Sequence, residues 1–392
     1  MRKFPNLLTA YKNYIIKHES PSIFHFWVAS QMIATVLRRD VWINRGAYIV
    51  YPNQYVILVA RSGSCRKSVA MEIGLDLIDE IENIHILHER MTVEGLMDKL
   101  QRVLILPNGR VIPDGSLLIH ADELSNLFGK ASYITDLLSF LTAAYTSKAK
   151  LDFLTRSRSL TSVRNPCIGL LAGTTPDSMS EIFPSLTLVS GLIGRILLIV
   201  GERGERVSKP KLDKSLRPGL IHDLIEISKL YGEMTITKEA EETFDIWYNA
   251  FPESPSAELS TYYERKHDHV WKASIIMSIS ESDNMIITRD HFLSAIQAVE
   301  LVESRMGEVL SYIGATSQSS IADFTYSFIK AKHPEPISHS VLLRQVYRRI
   351  QSLGEFKDII ETLVDSDRIV QAASRRGIYY SLKIKEKRRE GK

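Results

Sequence analysis

The chain has 392 residues, 44% hydrophobic and 24% charged, with a formal net charge of +3, which is the composition of an ordinary globular protein. No apolar run approaches the ~18 residues of a membrane span, and Pro5 with its neighbouring charges breaks up the basic N-terminus, so a cytoplasmic protein without a membrane partner is expected. Two cysteines, Cys65 and Cys167, are too few for a disulfide framework or a zinc site.

Residues 1–45 read as a helical N-terminal region. LLTAYKNYIIKH and SIFHFWVASQMIATVLRR place apolar residues at helical spacing, with Ser20-Pro21-Ser22 as stop and start. The pattern turns β-rich at VWINRGAYIV, and residues 46–205 then alternate short apolar strands (YVILVA, GSLLIHAD, CIGLLAGT, RILLIV) with helices over 67–83, 92–102 and 132–146. That alternation predicts an α/β core with a buried, mostly parallel sheet. The basic link GERGERVSKPKLDKSLRPG leads into a helical region, 206–313, and the polar stretch GATSQSS at 314–320 marks a second boundary. Residues 321–385 read as helices 321–332, 339–350 and 355–368 followed by strands IVQAA and GIYYSL, a winged-helix pattern. A basic tail, 386–392, closes the chain.

The first segment with chemistry in it is YVILVARSGSCRKSVAMEIGLDLI, residues 55–78. A phosphate-binding loop wraps phosphates in backbone N–H groups, reaches the β/γ oxygens with a Lys and holds magnesium with Ser or Thr. Lys67 and Ser68 stand where such a loop needs them, and Gly63, Ser64 and Arg66 line the turn. The pattern G-x-x-x-x-G-K-[ST] is not met, because Arg61 and Arg66 occupy its glycine positions. The next strand, GSLLIHADELSNLFG, ends in Asp122-Glu123: the first carboxylate suits magnesium together with Ser68, the second suits orienting an attacking water. The rival reading is a helix cap after a strand.

Thr174 ends the strand of NPCIGLLAGTTPDSM at a sensor position of ring ATPases that insert a strand between the loop strand and the acidic strand; a plain turn is the alternative. Arg195, in SGLIGRILLIV, suits an arginine finger directed at a neighbouring subunit, or only an edge-strand cap. KAKLDFLTRSRSLTSVRNP reads as a basic hairpin in which Lys148, Lys150, Arg156, Arg158 and Arg164 outnumber Asp152, suited to the phosphates of single-stranded DNA. Arg375 and Arg376 offer DNA contacts in the wing, as does a face with Arg344, Arg348 and Arg349. His120 reads as a packed strand residue, and the spacing of His267 and His269 argues against a metal site.

Taken together, YPNQYVILVARSGSCRKSVA, LLIHADELSNLFG, GLLAGTTPDSM, SGLIGRILLIV and YYERKHDHVWKASIIMSI resemble a phage and prophage P-loop ATPase family labelled domain of unknown function 3987, over roughly residues 20–310. That family is similar to AAA+ and minichromosome-maintenance helicases. The resemblance implies ATP and magnesium as cofactors, with Lys67, Ser68, Asp122, Glu123 and Arg195 as working residues. Arg265 and Lys272 would be further phosphate contacts from a helical lid. It implies an ATP-driven helicase or translocase of a phage or mobile element, a hexameric ring on single-stranded or forked DNA in the host cytoplasm, with room for a primase or polymerase partner. Family members write the loop as Gly-Pro-Ser-Gly followed by Arg-Lys-Ser, so Ala60, Arg61 and the extra Cys65 are departures. A non-hydrolysing DNA-binding initiator or scaffold with a degenerate loop stays open as the alternative.

Overall fold

The structure, a computed structural model, describes residues 1–88, 92–105, 111–128, 131–153, 161–183, 191–256, 259–310, 317–347, 349–350, 352–374 and 377–383. The chain divides into two compact units, Met1–Ile313 and Gly314–Lys392. No helix among the described residues is long and apolar enough to cross a membrane.

The first unit is built on a mixed α/β core with a parallel central sheet. Its strands are β1 (Tyr55–Val59), β2 (Ile86–His88), β3 (Arg102–Ile105), β4 (Val111–Ala121), β7 (Pro166–Thr174) and β8 (Ile196–Val200), with β5 (Lys150–Phe153) and β6 (Thr161–Arg164) forming a separate hairpin. The spatial order is β8-β1-β7-β4-β2, and β3 adds to β4 antiparallel. Every residue of β1 and of β7 is buried, so both faces of the sheet are covered and the strands read as unbroken apolar runs. One cover is α2 (Ser22–Leu37), whose large, mostly apolar side chains are buried nearly all round the helix, as expected of a helix enclosed by core. It packs on α3 (Lys67–Ile78) through Gly74, where a Cβ would fall 2.3 Å from Val28 Cγ1. The N-terminal helices and the helices after β8 share one hydrophobic core with the sheet.

Several boundaries differ from the expected ones. The helix expected over 67–83 ends at Ile78, and that over 92–102 ends at Leu100 because Arg102–Ile105 leaves it to become β3. The strand read as starting at Gly115 begins at Val111, its first residues pairing with β3. A Pro107-Asn108-Gly109 turn signal between two apolar runs marked that hairpin in the sequence.

The second unit has helices Ser317–Lys332, His339–Val346 and Leu353–Asp365, with a three-stranded antiparallel sheet of Ile337–Ser338, Ile369–Ser374 and Gly377–Leu382. Its own core gathers Leu342, Val346, Phe356, Ile360, Leu363 and Tyr380. The expected helix 339–350 stops at Val346, and the next runs Leu353–Asp365 with Ser352 accepting the Glu355 N–H as its cap.

Candidate nucleotide site

Parallel register brings the ends of β1, β7, β4 and β8 level: Thr174 and Val200 pair with Val59, and Ala172 with Ala121. The chain therefore leaves the sheet along one edge at Ala60–Arg66, at Asp122-Glu123 and at Thr174-Thr175. In open parallel sheets that carboxyl edge is where ligands bind.

The turn after β1 carries one glycine, Gly63, where a phosphate-binding pattern asks for two. Arg61 O accepts both the N–H and the hydroxyl of Ser64, at 3.1 and 2.8 Å, and Gly63 takes φ +67°. Arg66, at a glycine position of the usual pattern, adopts the left-handed conformation (φ +49°, ψ +45°) as N-cap of α3. That conformation costs a side-chain-bearing residue roughly 1–2 kcal/mol, and neighbours hold it in place. Ser20 Oγ donates to Arg66 O at 3.1 Å, and Arg66 Nε donates to Glu19 at 3.2 Å. Glu19 in turn accepts the Val207 N–H at 3.1 Å. The additional Cys65 folds beneath the turn, its thiol 3.5 Å from Gly201 O, while Arg61 faces solvent.

Lys67 spans the mouth of this turn, its ammonium donating to Ala60 O at 2.8 Å. Burial pulls its pKa below the usual lysine range, and Glu123 works in the opposite direction. Glu123 Oε1 is buried without a hydrogen-bond partner; leaving such an oxygen unsatisfied costs about 1–3 kcal/mol, so it fits a group that accepts or donates through a bound water. Ser68, half-buried at the start of α3, and the exposed Asp122 complete the donor set. Magnesium commonly uses one or two protein oxygens and takes the rest of its ligands from phosphates and water, so these residues suit it. Gly173 ties the two arms together, since a Cβ there would lie 2.5 Å from Asp122 O and 3.4 Å from Lys67 Cε. Sequence reading passed over it, although a glycine inside an apolar strand is a sign of close backbone approach. His120 is buried in its strand, as expected, with its Nε2 3.6 Å from Asp122 Oδ1 and its Nδ1 3.1 Å from His88 Nδ1. Burial holds its pKa below the usual histidine range, against the pull of Asp122.

Thr174 is fully buried at this edge, and its carbonyl accepts the Ala60 N–H at 3.3 Å. The other expected site residues lie elsewhere. Arg195 precedes β8 at the opposite edge, level with Tyr55, and is buried with a guanidinium N–H donated to Gly191 O. Burial, and then the neighbouring Arg265, lower its pKa. Arg265 retains 34% of its side-chain exposure and faces Asp268. Lys148, Lys150 and Arg164 are exposed around the β5–β6 hairpin, where Lys150 stands opposite Arg164 and also pairs with Asp152 at 2.9 Å. Arg156, Arg158, Arg348, Arg375, Arg376 and the tail 386–392 lie outside the described residues.

Lys272 corrects the expected lid contact. It is buried, and its ammonium donates to Tyr51 O (2.9 Å) and Asn53 Oδ1 (2.7 Å), before β1 and at the far edge from Lys67. Burial pushes its pKa down to about 8. The unfolded chain, with a lysine pKa of about 10.4, therefore binds more protons between these values, and stability rises with pH across that window. Lys272→Met removes the titration. Urea unfolding should show wild type gaining on the order of 2–3 kcal/mol over this variant between pH 7.5 and 10; parallel stability curves would rule out the assignment.

Compared with known proteins, the chain matches no family model and no curated sequence.

Proposed function

We propose that the first unit is an ATPase of the AAA+-like, ring-forming kind that moves on single-stranded DNA. The carrying observation is the convergence of Lys67, Ser68, Asp122, Glu123 and Thr174 at the carboxyl ends of adjacent parallel strands, with β7 inserted between β1 and β4. In this reading the turn N–H groups and the α3 N-terminus cradle the phosphates, and Lys67 moves from Ala60 O onto the β/γ oxygens. Ser68 and Asp122 would hold magnesium, which would supply positive charge to the transferred phosphoryl group. Glu123 orients a water and takes its proton as the water oxygen bonds to the γ-phosphorus. The bond to the β–γ bridging oxygen breaks, giving ADP and inorganic phosphate.

The DNA side of the proposal rests on the β5–β6 hairpin. Like charges directly opposite each other weaken a hairpin, so placing Lys150 against Arg164 suits a polyanion that relieves the repulsion. A role for Arg195 toward a neighbouring subunit requires its release from Gly191; Arg265 beside it already reaches solvent.

The order helix, strand, two helices, hairpin supports a winged helix for the second unit. One observation favours protein contact over duplex binding there. The last helix turns Lys357, Asp358, Glu361 and Asp365 to solvent, an acidic face that a phosphate backbone repels.

Titration calorimetry with magnesium-ATP at micromolar protein, followed by hydrolysis with and without single-stranded DNA, tests the proposal. Nucleotide binding with DNA-stimulated turnover is expected. DNA binding without nucleotide binding would instead establish the scaffold reading.

A further inference from the structure

The β2–β4 ladder sets His88 directly beside His120, and Asp122 follows two residues after His120, just past the end of β4. The rings of the two histidines meet edge-on with centroids 5.2 Å apart, and their Nδ1 atoms lie 3.1 Å from each other. His120 Nε2 is buried, has no hydrogen-bond partner, and has Asp122 Oδ1 as its nearest charged neighbour at 3.6 Å.

These distances select one proton arrangement. Two Nδ1 atoms at that separation need one hydrogen between them. If His120 supplied it, the bare Nε2 lone pair would face a carboxylate, which is repulsive. With His88 as donor, His120 Nδ1 accepts and Nε2–H points at Asp122 Oδ1. We propose that His120 is a positioning residue for Asp122, fixed in this tautomer by His88, so that a His88–His120–Asp122 chain aims the free carboxylate oxygen toward the cation position beside Ser68. Asp122 lies just past the end of β4 with its side chain 55% exposed, so this contact restrains a carboxylate that solvent reaches. Groups that orient a metal-binding carboxylate typically alter metal affinity 10- to 100-fold, roughly, when removed.

The inference rests on the nucleotide-site reading, and the experiment separates the two. Full-length wild type, His120→Phe, His120→Gln and His88→Phe are titrated with Mn²⁺ in the presence of ADP by electron paramagnetic resonance, and with ADP alone in chelator. ¹⁵N spectra of the histidines are recorded for nucleotide-free wild type. His120→Phe is expected to weaken Mn²⁺ binding about 10- to 100-fold with metal-free ADP affinity unchanged. His120→Gln, whose amide N–H reaches the same oxygen, should recover most of that loss, and His88→Phe should show a smaller loss in the same direction. The spectra should place the His120 proton on Nε2. Unchanged Mn²⁺ affinity in His120→Phe overturns the inference, as does a proton on Nδ1 of His120. A purely structural role would make the Gln and Phe variants fail alike, in step with their unfolding temperatures. If wild type binds no ADP at all, the nucleotide reading fails, and the spectra alone decide whether the histidine chain exists.

Discussion

Glu123→Gln is expected to lower ATP turnover about 100- to 10,000-fold, the usual range for losing a general base, while ATP still binds. The amide keeps the shape of the carboxylate and therefore the packing, but it cannot accept the proton of an attacking water. The position of the wild-type group supports this separation of roles. Its Oε1 is buried and unpartnered, so it forms no internal bond whose loss would unfold the turn. Its negative charge also offsets the effect of burial on Lys67, so the variant should bind ATP with somewhat altered affinity rather than lose it. Single-turnover hydrolysis beside equilibrium binding of a fluorescent ATP analogue distinguishes the effects. Turnover within about threefold of wild type, against the range for a lost base, would remove Glu123 from the chemistry and leave Lys67 and Ser68 as a binding loop only.

How much of this site was legible in the sequence depends on the range of the contacts that make it. YVILV and PCIGLLAGT declared themselves as buried parallel strands because nearly every side chain is apolar. Lys67-Ser68 and Asp122-Glu123 could be singled out because the members of each pair are adjacent in the chain and each pair follows an apolar run. The backbone of Arg66 could not, since its left-handed conformation is held by Ser20 and Glu19, which lie 46 and 47 residues away. A sequence pattern that asks for glycine tests only intrinsic preference, and here tertiary hydrogen bonds override it. The same limit explains Lys272. The resemblance placed it in a lid, but which edge of the sheet it meets is decided by packing against Tyr51 and Asn53. Arg195 was legible as an unusual cation before a strand, whereas its burial against Gly191 was not.

The second large effect is expected at Gly173, which no motif singled out. This residue lies one step before the end of β7, paired with Leu58 of β1 on one side and following the Ala172–Ala121 pair with β4 on the other. It thus lies between the Lys67 arm and the acidic arm. A methyl group here would meet Asp122 O at 2.5 Å, with Lys67 Cε and Met71 Cε both at 3.4 Å on its other side. The two side chains can give way by a few tenths of an ångström; the Asp122 carbonyl belongs to the backbone and cannot swing aside. Gly173→Ala should therefore displace Asp122-Glu123 from Lys67, with a stability loss of about 1–3 kcal/mol from overpacking. ATP affinity should fall about tenfold or more, the equivalent of losing one charge-assisted contact. Gly307→Ala serves as the contrast, because nothing lies within 4 Å of its Cβ and the residue is inside a helix. That change should be neutral or stabilise by roughly 0.5–1 kcal/mol. Urea unfolding and ATP titration on both variants give the comparison. If Gly173→Ala loses stability but binds ATP like wild type, the close approach is only packing, and the acidic arm contributes nothing to binding. If affinity and stability both fall, then the spacing between β7 and the Asp122 carbonyl sets the geometry of the nucleotide site, and a larger residue at 173 should abolish binding altogether.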